Sequence, residues 1–148
     1  MNFFTESVTT IIDRDLNKLE EEIKLYPTEQ SLWKISGDVK NSAGNLCLHL
    51  CGNLQHFIGA IIGNSGYIRN REHEFAARNI PREQLISEIQ TTKVAVRSAL
   101  TKLEPGSLDK EYSVQVFGYP MTTGHFLVHL AAHLGYHLGQ VNYLRRLS

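Results

Sequence analysis

The 148-residue sequence is short of the features that mark several protein classes. Two cysteines cannot build a disulfide framework, so the expected setting is reducing and cytoplasmic. No excess charge is present: fifteen Lys and Arg balance fifteen Asp and Glu. Binding to nucleic acid or an anionic membrane surface normally needs a basic excess, so neither partner is expected. Long apolar runs are missing too. The longest, around Phe57 to Ile62, falls far short of the ~20 residues that span a bilayer. The opening Met1-Asn2-Phe3-Phe4-Thr5-Glu6 carries an acid and no basic stretch, unlike a secretory leader. Phosphate-cradling glycine loops, a serine nucleophile elbow, Glu-x-x-His and Cys-x-x-Cys-His do not occur.

What is present is helical periodicity and histidine. With 42% apolar residues the chain is long enough for one domain, expected to span 1–148. Phe4, Val8, Ile11, Leu16, Leu19, Ile23 and Tyr26 mark a first helix that Pro27 stops. Thr28 is placed to cap a short turn holding Leu32 and Trp33, with Trp33 as a plug over one end. A second helix runs from about Val39 to Ile62. Its Gly44, Gly52 and Gly59 each cost ~1 kcal/mol against alanine, which close packing must offset. The link to Ile80 is too long for an antiparallel turn and reads as a crossover, with a site lid as the sharper alternative. Pro81 suits the first position of a third helix carrying Leu85, Ile89, Val96, Leu100 and Leu103, which Pro105-Gly106 ends. Tyr112 to Pro120 alternates and reads as a small hairpin or an extended loop. Thr122 or Thr123 then caps a fourth helix to about Leu147. Four helices of about 35 Å make an all-α four-helix bundle, with the second and third parallel across the crossover.

Seven histidines stand out, four of them in a ladder: His125, His129, His133 and His137. Imidazoles at i and i+4 share a helix face with Cβ atoms ~6 Å apart and can converge on one ion. A third ligand must come from another helix. On the second helix His49 and His56 are ~10 Å apart along the axis, so only one can join. Matching depth in antiparallel neighbours selects His49 against His133 and His137, with His129 as the neighbouring rung. Cys47 and Cys51 are two residues either side of His49, rotated ~200° away, and read as packing. Asn45, Asn53 and His56 extend the His49 face, and Tyr136 and Gln140 flank the other pair. These five are the candidate substrate contacts, and none is a carboxylate that serves as general base.

The segments Asn45-Leu-Cys-Leu-His49-Leu and His133-Leu-Gly-Tyr-His137-Leu-Gly-Gln140 resemble the DinB/YfiT family. The second is similar to that family's His-x-x-x-His-x-Gly-Gln signature, and Leu138 stands where relatives often carry a polar or basic residue. The resemblance implies an up-down-down-up bundle, a divalent ion (nickel or zinc) on His49, His133 and His137, and a homodimer. It also implies chemistry on a small molecule, such as joining a low-molecular-weight thiol to an electrophile, or hydrolysis. A non-enzymatic metal clamp is the alternative reading, and a bis-histidine haem pocket a third. Imidazole ligation predicts that metal affinity falls as pH drops through ~6.5, where an unperturbed ring takes up a proton.

Overall fold

The computed structural model describes residues 1–148. The chain is all-α, with five α-helices and no strand: α1 (Phe3–Leu25), α2 (Ala43–Leu54), α3 (Arg71–Ala76), α4 (Arg82–Lys102) and α5 (Thr123–Leu147). Side-chain oxygens start four of them, the last at an expected place. Asn2 accepts from Thr5 N, Ser42 from Asn45 N, Asn70 from His73 N, and Thr122 from His125 N. α2 begins at Ala43 rather than Val39, because the chain reaches helical geometry only after the Ser42 cap. It then widens into a π-helical turn over Gln55–Ala60. Pro81 lies one residue outside α4, as its cap, instead of opening the helix. The Tyr112–Pro120 stretch is an extended loop, closed by a single antiparallel bridge between Glu111 and Thr122.

The apolar stripe of α1 is Val8, Ile12, Leu16, Leu19 and Ile23. Ile11, expected inside, is exposed, since the 4-4-3-4 spacing of the stripe runs through Ile12. These residues share one core with Leu46, Leu50, Leu54 and Ile58 of the second helix and with Leu85, Ile89, Val96 and Leu100. From α5 come Phe126, Leu127, Leu130, Leu134 and Val141. Trp33 does plug an end of the core, and Gly44 makes this possible. A Cβ at Gly44 would lie 2.7 Å from the indole ring.

Pairs along the helices fix their relative course. Asp13–Arg97 and Glu20–Gln90 set α1 and α4 antiparallel. Phe4 beside Gly124, and Glu22 beside Asn142, set α1 and α5 side by side in one sense. His49 opposite His133 and Phe57 opposite Phe126 set α2 antiparallel to α5. Two buried tyrosine hydroxyls pin this register: Tyr26 donates to Val141 O at 2.6 Å, and Tyr112 donates to Phe57 O at 2.6 Å.

The polar connection after the second helix is not a solvated strap. It contains α3, and Asn45 ties it down. The Asn45 amide donates to Glu74 O and Ala77 O at 2.9 Å each, while its oxygen accepts from Ser42 and Arg78. Asn45, a candidate substrate contact on sequence, is thus 2% exposed and bonded to protein at both ends of its amide. Replacing Asn45 by Ala removes the side-chain partner of Glu74 O and one of the two on Ala77 O, which Arg78 also bonds, for an expected loss of about 2 kcal/mol. The urea midpoint should fall at constant slope. An unchanged midpoint would remove the anchoring role.

Candidate metal centre

The packing of α2 against α5 brings His49, His133 and His137 together. One ring nitrogen from each lies within 4.8 Å of the others. His49 Nε2 is 3.2 Å from His133 Nε2, and the three ring centroids are 4.6–5.4 Å apart. His49 is buried and the other two are half-buried. Two nitrogens on one tetrahedral ion, each at ~2.05 Å, are about 3.4 Å apart, so the His49–His133 spacing already suits one ion.

The outer nitrogens explain how the rings are aimed. His49 Nδ1 lies 3.1 Å from Glu74 Oε1, in the crossover helix α3. Arg69 grips the same carboxylate, with Nε and Nη2 at 2.9 Å from its two oxygens. Arg69 Nη2 also comes within 3.4 Å of His49 Nδ1, but its closer acceptor is Glu74. The network therefore assigns the proton to Nδ1, donated to Glu74, which leaves the Nε2 lone pair facing the cluster. On the opposite side, His137 Nδ1 donates to Gln140 Oε1 at 2.7 Å. Gln140 thus positions a ring, a role the Gly139-Gln140 pair could not reveal by spacing alone.

Glu74 was not among the residues singled out by sequence. Its neighbours Glu72 and His73 are exposed, and nothing local marks position 74 as buried. The one available sign was Gly52. A Cβ there would stand 1.8 Å from Glu74 Oε2, so the missing side chain is the space the carboxylate occupies. Burial raises the Glu74 pKa, but bonds from His49 and Arg69 outweigh it and hold the carboxyl below its ordinary range.

The remaining candidates divide. His129 stacks 6.2 Å from His133 and packs on Phe117, outside the cluster. His125 is exposed at the start of α5. Asn53 is buried and His56 half-buried, one and two turns along from His49. Tyr136 is exposed, its ring 5.3 Å from His137. Cys47 and Cys51 are buried free thiols, as their rotation away from His49 requires. A groove of about 590 Å³ opens beside His137 and Gln140, walled by Val39, Leu46, Tyr143 and Leu144. The larger hollow, about 880 Å³ along α4, has no histidine in its lining.

A family model described as "Protein of unknown function" matches residues 3–148. The chain belongs to the DUF1572 family. DUF1572 is a DinB-like family. No curated protein matches the chain. In this DUF1572 member no helix is long and apolar enough to cross a membrane.

Burial, reinforced by the neighbouring His137, His49, His129 and Arg69, pushes the His133 pKa down to about 4. Burial also lowers that of His137, against the Gln140 bond that raises it. His133 therefore stays neutral well below the ~6.5 of a free imidazole and His137 is shifted the same way, so proton competition for a metal moves to lower pH than the sequence alone implies. For the metal-free protein the sign follows from proton uptake. Between pH 6.5 and about 4 the unfolded chain protonates residue 133 and the folded chain does not. Stability should be full above 6.5 and decline as pH falls toward 4. Melting temperatures of wild type and His133→Phe across that range check this, the variant showing the shallower decline. A second expectation concerns Gly52→Ala. Displacing Glu74 from His49 should weaken Zn²⁺ or Ni²⁺ binding about 10–100-fold by calorimetry. Unaltered affinity would separate Glu74 from the cluster's function.

Proposed function

We propose that this chain is a DinB/YfiT-type metalloprotein in which His49, His133 and His137 hold one divalent ion, nickel or zinc, for chemistry on a small molecule. The observation that carries the reading is the convergence of three imidazole nitrogens whose outer nitrogens, on two rings, are already bonded to Glu74 and Gln140. The helix pairings support an up-down-down-up DinB-like bundle around them.

The donor set fits the ion. Three neutral imidazoles leave a coordination position open, the pattern of catalytic zinc sites rather than closed structural ones. Such an ion supplies a Lewis-acid centre able to lower the pKa of a bound water or thiol. The protein's part is to keep His133 and His137 neutral, to aim His49 through Glu74 and His137 through Gln140, and to shelter the rings from solvent. Phe75 covers His49, its ring 4.8 Å away, and the groove beside His137 falls in the ~300–1,000 Å³ range of small-molecule sites. The reaction class is transfer of a low-molecular-weight thiol, or hydrolysis. The exposed Tyr136, Tyr143 and Leu147 on α5 would be covered in the homodimer that goes with this reading.

A non-enzymatic clamp is the second reading, favoured by the placing of the cluster across the seam between α2 and α5, where an ion adds folding energy. The haem reading finds no support in the cluster, because rings 4.6–5.4 Å apart leave no slot for a porphyrin between them.

Adding Zn²⁺ or Ni²⁺ to metal-free protein should raise its melting temperature. His137→Ala should abolish binding and His125→Ala should leave it intact. The reverse pattern would move the site to another rung. Thiol-conjugation and hydrolysis assays on the loaded protein separate the two readings: stabilisation with no turnover over a broad panel favours the clamp.

A further inference from the structure

Two of the three clustered imidazoles have a protein acceptor on the outer nitrogen, Glu74 for His49 and Gln140 for His137. His133 has none. Its Nδ1 is buried and no protein group pairs with it. One turn along α2 from His49, Asn53 Oδ1 is equally buried and unpaired, in a side chain only 8% exposed. A third such atom, His56 Nδ1, follows three residues later, in the π-helical turn. Folded interiors seldom leave polar atoms unpaired, so three along one helix seam call for a common cause.

The unpaired atoms of Asn53 and His133 are of opposite kind. A His133 ring that presents Nε2 to the cluster carries its proton on Nδ1 and is a donor there, whereas Asn53 Oδ1 is an acceptor. His49 ties the two together. Its Nε2 is 3.2 Å from His133 Nε2, and Asn53 lies on its own face of α2, about 6 Å further along the axis. The nearby cation, Arg69, is already engaged with the Glu74 carboxylate through two bonds of 2.9 Å. The charge balance therefore calls for a neutral occupant.

Building on the metal-site reading above, we propose that the seam between Asn53 and His133 is a subsite for one neutral hydroxyl-type group, which accepts from His133 Nδ1 and donates to Asn53 Oδ1. That group is water, or the hydroxyl of a bound substrate. Asn53 then does for His133, through the occupant, what Glu74 does for His49 and Gln140 for His137: it is a positioning residue. His56 Nδ1 marks the outer end of the same row.

Asn53→Leu keeps the volume and removes the acceptor. Its metal-free melting temperature should fall slightly, because the occupant's hydrogen bond to Oδ1 is gone. Its Co²⁺ affinity, followed by the visible absorption of the bound ion, should fall about 10–100-fold, and Asn53→Asp should restore most of it. A lower melting temperature with unchanged Co²⁺ affinity would reduce Asn53 to packing and overturn the proposal. The source of the hydroxyl is read with mercaptoethanol and ethanethiol on the Co²⁺-loaded protein. Tighter binding of mercaptoethanol, lost in Asn53→Leu, assigns the subsite to a substrate hydroxyl, and equal binding assigns it to water. A crystal structure of the metal-free protein keeps this test apart from the metal reading. Density within hydrogen-bond distance of both Asn53 Oδ1 and His133 Nδ1 supports the subsite even if Co²⁺ never binds. Direct contact between the two side chains overturns it even if Co²⁺ does.

Discussion

Taking the Glu74 carboxylate out of water costs several kcal/mol, and the chain offsets this by giving its oxygens three N–H partners, two from Arg69 and one from His49. The arrangement also needs a helix surface with nothing on it, which Gly52 provides. Through this one buried group the crossover is bound to the histidine cluster. His49 takes its orientation from a carboxylate that arrives from outside the pair of helices supplying the rings. The backbone of that carboxylate's own residue is in turn held by Asn45, four residues before His49. The cluster therefore draws on three segments, although its rings come from two.

The electrostatics of the cluster follow from the same packing. Three imidazoles within 4.8 Å would repel one another if protonated, and half-burial makes protonation harder still. The fold therefore favours neutral His133 and His137, the state in which a nitrogen lone pair is available to an ion. A histidine stripe on an open helix face would have no such bias.

Much of the bundle was legible because its cues are local. Proline stops, the Thr122 cap, and the stripe through Val8, Leu16 and Leu19 needed no knowledge of other segments. Placing α2 four residues early did not spoil the pairing of His49 with His133 and His137. Ile11 against Ile12 was lost for the same reason that side chains one position apart differ by ~100° and a stripe edge is narrow. Glu74 and Arg69 were not legible. They sit in a run of charged residues that reads as solvated, and only a contact across the fold, at a glycine, gives them their place. The roles of Asn45 and Gln140 were hidden similarly: each was found on the right face, but its partners are backbone carbonyls or a ring that the spacing does not identify.

The tyrosines that pin helix register carry a consequence for the cluster. A helix advances ~1.5 Å per residue, so one helix slipping past another by a single residue moves its rings by more than the tolerance of any coordination shell. Tyr112 fixes the second helix at Phe57 and Tyr26 fixes α5 at Val141, both through backbone carbonyls. These hydroxyls act as gauge blocks: bonded to backbone and to none of the rings, they set the vernier on which three ring nitrogens line up.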